Sequence, residues 1–157
     1  MKFRILVICL CVALLGCDTS NVYHEYVDLD DRTWLLSNKP EFTFEISDTT
    51  QAYDVYCDVR NSTHYPWSRL FVNFSLTDTL GNKVESKLVT AYLFEPKTGK
   101  PYGKSGLGDL FDHRVGVLTG YRFPRAGVYQ ATLEQYMRTD SVPGILSVGV
   151  AIEKAAN

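Results

Sequence analysis

The chain has 157 residues, 16 basic against 18 acidic (net −2), 45% hydrophobic and 13% aromatic side chains. That is enough apolar material for one packed core, and one domain is the natural count at this length. The weak acidity argues against nucleic acid, which calls for a basic footprint, and four scattered cysteines do not make a disulfide framework.

The chain opens MKFRILVICLCVALLGC. Lys2 and Arg4 supply a short positive region, and Ile5–Leu15 is an unbroken apolar run. Such a run is too short to span a bilayer, which takes about 20 residues, and has the anatomy of a secretory signal. Its ending, Leu14-Leu15-Gly16-Cys17, has the form of a bacterial lipobox: a small residue followed by cysteine directly after the apolar run. The expected chemistry is thioether attachment of diacylglycerol to Cys17, cleavage after Gly16 and acylation of the new amino group. Several acyl chains anchor far more firmly than one, at about 0.8 kcal/mol per buried methylene. Residues 1–16 are therefore expected to be a lipoprotein signal peptide, 17–21 the lipidated cysteine with a short polar tether, and 22–157 a single domain. Cys9 and Cys11 leave with the signal, so Cys57 is the one cysteine of that domain and no internal disulfide is available to it.

Beyond the tether the alternation has period two. In EFTFEI, Phe42, Phe44 and Ile46 share a face; in YDVYCDVR, Tyr53, Val55, Cys57 and Val59; in LFVNFSLTD, Leu70, Val72, Phe74 and Leu76; near the end, Leu146, Val148, Val150 and Ile152. About eight strands are predicted, near 22–29, 41–47, 53–60, 69–77, 84–94, 114–123, 127–138 and 145–154. Turn signals separate them, among them Asn38-Lys39-Pro40, Asn61–Ser68, Leu80-Gly81-Asn82 and Val142-Pro143-Gly144. The pattern predicts an all-β sandwich, jelly-roll-like, with an immunoglobulin-like sandwich as the alternative. A helix is plausible only as a turn near Leu107–Asp112. In RFPRAGVYQATLEQ, Pro124 and Gly127 make a corner at which the Tyr129 hydroxyl could bond backbone.

The stretch EPKTGKPYGKSGLGDLF contains Gly103-Lys104-Ser105, the ending of a phosphate-binding loop. That motif needs a first glycine at position 98, which is Thr98, and a helix to follow, of which there is no pattern. A nucleotide site is not expected. His24, His64 and His113 show no ligand spacing, so loop or surface histidines are expected rather than a metal site. Cys57 shares its face with Val55 and Val59 and is expected in the core. No nucleophile elbow and no carboxylate pair stands out, so neither an enzyme nor a cofactor is expected. Tyr65 and Trp67 lie in a turn, and Tyr92, Tyr102 and Tyr121 are further candidates for exposure; such rings stack on sugars or grip protein partners. Gln135, between Leu133 and Met137, must be either a polar anchor or part of a groove.

The lipobox cysteine, VYHEY, YDVYCDVRNSTHYPWSRLFVNFSL, GKPYGKSGLGDLFD, RFPRAGVYQATLEQYMR and PGILSVGVAIEK together resemble the gliding-motility lipoprotein GldH family of Bacteroidetes over nearly the whole chain. The resemblance implies an envelope lipoprotein needed for gliding, tied to type IX secretion, with no assigned catalytic residues; Cys17 carries over as the lipidation site. Its long loop is read as conformationally demanding rather than nucleotide-binding, with Asp109 capping the turn that follows. The expected role is a component or assembly factor acting through other gliding or secretion envelope proteins, with partner contacts at Tyr65, Trp67, Lys104 and Asp109. The tether lacks a dense charged run, which favours a periplasm-facing outer-membrane protein. The rival expectation is a carbohydrate- or peptidoglycan-binding envelope lipoprotein.

Overall fold

A computed structural model describes residues 20–156. The expectations for the signal peptide and for Cys17 lie outside those residues. Eleven strands follow in order: β1 (Asn21–Asp28), β2 (Thr33–Leu35), β3 (Glu41–Ile46), β4 (Tyr53–Ser62), β5 (Arg69–Asp78), β6 (Lys83–Tyr92), β7 (Lys104–Ser105), β8 (Leu110–Tyr121), β9 (Gly127–Gln135), β10 (Ser141–Pro143) and β11 (Ile145–Lys154). The helical element among the described residues is a 3-10 turn at Asp30–Arg32.

The strands form a five-stranded sheet in the order β1-β11-β4-β8-β7, a four-stranded sheet β3-β9-β5-β6 and a small pair β10-β2. All pairings are antiparallel. Setting aside β2, β7 and β10, the eight long strands pair first with eighth, second with seventh, third with sixth and fourth with fifth. That is one long hairpin wrapped into two sheets, the jelly-roll arrangement, and it decides against the immunoglobulin-like alternative.

The period-two reading of the inner faces holds except at the start of β11, where a bulge between Ile145 and Ser147 puts Ile145 in the core in place of Leu146. β3 alternates exposed and buried from Glu41 to Ile46, and along β5 Leu70, Val72, Phe74 and Leu76 all point inward. Each such side chain taken fully out of water contributes about 1.5–3 kcal/mol. These residues, with Val148, Val150 and Ile152 of β11, form one continuous core between the two large sheets. Cys57 lies within it as a free thiol, and burial pushes its pKa up to about 12. Three buried tyrosines lock corners by donating a hydroxyl to a nearby carbonyl: Tyr53 to Asp48 O, Tyr65 to Arg69 O and Tyr129 to Arg125 O, each at 2.7 Å. The Tyr129 corner is the one predicted.

Other expectations need correction. No helical turn forms at 107–112; Gly106 N–H donates to Leu110 O at 2.8 Å, closing a turn, and β8 starts at Leu110. Residues 141–143 are not a plain turn but β10, paired with β2 around the fully buried Trp34. His113 is not a surface histidine. Its neighbour across the ladder is the inward Val59, so its ring turns into the fold and is buried, whereas Asp112 points outward to Arg60.

Candidate functional site

The long loop resolves into a tight hairpin. Glu95 N–H donates to Lys100 O, Gly99 N–H to Glu95 O and Tyr102 N–H to Leu93 O, and Phe94 bridges Pro101. Gly99 and Gly108 have φ of 69° and 70°, the left-handed region that glycine enters without strain. Gly103 is needed for a different reason: a Cβ there would stand 2.6 Å from His113 Nε2 and 2.7 Å from Asp112 O. Lys104 and Ser105 are extended and pair with Asp112 and Phe111. The GKS tripeptide is thus a strand, not a cradle of converging N–H groups.

Register places three rows of side chains on the outer face of the five-stranded sheet. Tyr26, Gly149, Asp58 and Arg114 stand abreast on β1, β11, β4 and β8. His24, Ala151, Tyr56 and Gly116 make the adjoining row, and Asp28, Ser147, Arg60, Asp112 and Lys104 the row on the other side. Gly149 lets the Tyr26 ring reach across, since a Cβ at 149 would lie 2.8 Å from Tyr26 Cδ1.

Asp58 is the hub of this face and only 2% exposed. Arg114 holds it in a fork, Nε to Oδ1 at 2.9 Å and Nη2 to Oδ2 at 3.1 Å. Tyr26 donates its hydroxyl to Oδ2 at 3.1 Å, and His24 Nε2 lies 2.8 Å from the same oxygen. With Nε2–H donating to Asp58, the 3.2 Å approach of Arg114 Nη2 to that nitrogen is two donors meeting over one carboxylate. Arg114 also reaches Glu153 at 2.6 Å and lies 5.3 Å over the Tyr56 ring. The hydrogen bonds to Asp58 first, then the Asp58 and Glu153 charges, hold the Arg114 guanidinium well above its ordinary range. Burial first, then the Asp58 charge, pushes the Tyr26 hydroxyl up to about 12.

Beside this network lies a polar groove of about 570 Å³, where the β8 edge meets the end of β6 and the 93–103 hairpin. Tyr26, Tyr92, Tyr102, Lys104, Asp58 and Arg114 face it, and Gly103 and His113 contribute to its wall. A second groove, of about 850 Å³, lies on the outer face of the four-stranded sheet. It is lined by Leu36, Trp67, Phe71, Leu88, Tyr136 and Met137, with Glu134, Arg138 and Thr139 at its margin. Gln135 closes the turn beneath it, donating Nε2–H to Thr139 O at 2.9 Å and accepting from Met137 N–H at 2.8 Å. Gln135 is therefore both a polar anchor and a groove residue.

The four residues expected to meet partners are divided among these features. Tyr65 is 3% exposed and belongs to the core, because its hydroxyl is tied to Arg69 O and its ring packs on Phe94; it is not presented to a partner. Trp67 packs edge-on against Tyr65 at 5.5 Å, is 40% exposed and borders the apolar groove. Lys104 lies in the polar groove. Asp109 does not cap a helical turn; its backbone O accepts from Thr63 N–H at 3.1 Å and its carboxylate lies 3.4 Å from His64 Nδ1, which ties the 106–110 turn to the 62–65 turn. Of the other aromatics, Tyr92 and Tyr102 are exposed, and Tyr121 packs against the core edge-on to Phe123. Asp58, Arg114, Tyr26, Tyr136 and Met137 escaped the sequence reading as site residues. The period-two alternation marks Asp58 as outward-facing, but nothing in the linear sequence marks its partners.

A family model described as GldH lipoprotein matches residues 21–152. A "Gliding motility lipoprotein GldH homolog" of Christiangramia forsetii is 27% identical over 152 residues, covering 90% of this chain and 89% of that one. "Gliding motility lipoprotein GldH" of Flavobacterium johnsoniae is 23% identical over 151 residues, covering 91% of each. Among solved structures, a family GH115 4-O-methyl-alpha-glucuronidase with specificity for decorated arabinogalactans aligns at a TM-score of 0.49 and 14% identity, over 90% of this chain and 18% of that one; a likeness this distant says nothing about activity. With the family model spanning nearly all of the described domain, the chain belongs to the GldH lipoprotein family.

Proposed function

We propose that this protein is a non-enzymatic, lipid-anchored envelope component or assembly factor of a gliding machinery linked to type IX secretion, and that it acts by protein–protein contact at the apolar groove. The two relatives named gliding motility lipoproteins support the process. The observation that carries the mode of action is the clustering of Trp67, Tyr136 and Arg138 around Leu36, Phe71, Leu88 and Met137. Trp, Tyr and Arg are the residues in which binding energy concentrates, and an apolar floor with a polar rim is the form of a protein-docking patch. In this reading Cys17 holds the lipid in the outer membrane and the domain faces the periplasm.

The test is crosslinking in intact cells followed by capture of the tagged lipoprotein and mass spectrometry. Gliding or secretion components should be enriched with the parent chain and reduced in Trp67→Ala and Tyr136→Ala. Capture that is the same in parent and variants would refute the docking role of the groove. Palmitate labelling lost in Cys17→Ser tests the anchor, and protease resistance in intact cells tests the facing.

A further inference from the structure

We propose that the polar groove on the five-stranded sheet binds a saccharide that carries a carboxylate. This goes beyond the protein-docking role and concerns a different face, so each can fail without the other.

The aromatic surface is the first argument. Tyr92 and Tyr102 are each 58% exposed, and Tyr26 stands beside them in the same groove. The backbone positions of these rings are set by strand and hairpin hydrogen bonds. Tyr102 hangs from the ladder hydrogen bond of its N–H to Leu93 O at 3.0 Å, and Tyr26 is fixed by its hydroxyl on Asp58. Three tyrosine rings facing one groove suit a partner with an apolar face and a polar perimeter. The C–H face of a pyranose ring, edged with hydroxyls, has that form. The Arg114 guanidinium, 40% exposed and held in orientation by its fork on the buried Asp58, sits alongside to meet those hydroxyls.

Charge selects the kind of sugar. Among the lining groups, Asp58 is satisfied by Arg114, and Asp112 by Arg60 at 2.7 Å. Lys104 stands opposite Asp112 in the ladder yet, among the described residues, its ammonium pairs with no carboxylate. The lining charges Asp58, Asp112, Lys104 and Arg114 balance in number, but Lys104 alone among them has no ion-pair partner among the described residues, and a single carboxylate on a sugar ring answers it. A phosphate chain is a poorer fit, because the backbone at Lys104–Ser105 is committed to the β8 ladder.

The test is calorimetric titration of the full chain in detergent with short oligomers of galacturonate, of glucuronate-bearing xylan and of mannuronate. Cellulose oligomers serve as the neutral control, and acetate and inorganic phosphate as simple anions. At least one acidic oligomer should bind. Tyr92→Ala and Tyr102→Ala should each weaken it by about tenfold, the equivalent of one lost stacked ring. Lys104→Gln should reduce acidic affinity to that of the neutral control, and Trp67→Ala should change nothing. All three substituted groove side chains are exposed, so unchanged melting temperatures are expected. The proposal is overturned if no acidic oligomer binds better than cellulose oligomers, if acetate or phosphate competes at equal concentration, or if binding survives Tyr102→Ala.

Discussion

Substituting Arg114 with alanine tests whether the outer face of the five-stranded sheet is a cohesive structure or a screened surface. Two hydrogen bonds to Asp58 and one to Glu153 would be lost, together with the contact over Tyr56. The Glu153 contact is exposed and contributes about 0–1 kcal/mol. The Asp58 contact weighs more, because that side chain is 3% exposed while Arg114 is 40% exposed. Stripping one partner from a fully buried ion pair costs about 3–5 kcal/mol. Asp58 would retain His24 and Tyr26, and water could enter the space left by the guanidinium, which lowers the expectation to about 2–3 kcal/mol. At this chain length that corresponds to a fall in Tm of roughly 6–12 °C. Urea unfolding followed by tryptophan fluorescence reports it, since Trp34 is fully buried in the native state. A double-mutant cycle with Asp58→Ala should recover at least about 1 kcal/mol of coupling, because the second substitution removes the stranded charge. A loss below about 0.5 kcal/mol that is additive with Asp58→Ala would refute the reasoning and reduce the network to solvated pairs.

The remaining predictions address the backbone, a buried base and the thiol. Gly144 has φ 83°, and a Cβ there would stand 2.5 Å from Tyr65 N and 2.7 Å from its Cα. Gly144→Ala should cost at least about 2 kcal/mol from strain and overlap, whereas Gly99→Ala, at φ 69° in open space, should cost about 1 kcal/mol; equal losses in urea melts would contradict the close approach. Burial holds the His113 pKa below its ordinary 6.5, against a smaller opposing pull from Asp112. The unfolded chain therefore binds the proton first, so stability is retained above pH 6.5 and lost as the pH falls from there towards the folded value, by at most about 1.4 kcal/mol per pH unit. The difference between parent and His113→Gln across that window should show a shallower acid slope in the variant; parallel curves would count against a neutral buried imidazole. Cys57, buried and with its pKa pushed up to about 12, should ignore a thiol reagent in the native state and react at the global unfolding rate; fast labelling of folded protein would mean the core opens locally at β4.

What could be read in the sequence follows the range over which its signals act. The inner faces of β3, β4, β5 and β11 were legible because alternation is local, and the Tyr129 corner because its carbonyl partner is four residues away. Tyr65 uses the same four-residue reach to Arg69, and that parallel was the available clue that it is core rather than contact surface. Trp34 sits on a three-residue strand, too short for any period to show. The Asp58 network was out of reach for a different reason: its members come from β1, β4 and β8, separated by 34 and 56 residues. Only the strand order puts them abreast, and strand order is a long-range property. Lys104, expected as a partner contact, is extended rather than part of a phosphate loop and lies beside the tyrosines of the polar groove.

The first described residue and the loops that border the grooves lie at opposite ends of the sandwich. Ser20 O accepts from Lys154 N–H at 2.7 Å, which places the first described residue at the Lys154 end of the sandwich. That end also holds Tyr53, paired with Lys154 and Tyr121. From Tyr53, β4 runs ten residues to Ser62, about 30 Å at the rise of a strand. The Thr63–Ser68 turn, the 93–103 hairpin and the Tyr136–Thr139 segment gather at that far end, joined by Leu93 N–H to Ser68 O, Tyr102 N–H to Leu93 O and Tyr136 N–H to Phe71 O. Trp67, Tyr136, Tyr92 and Tyr102 all belong to it. The loops that border both grooves thus gather at the end of the sandwich opposite Ser20, with one groove on each large sheet.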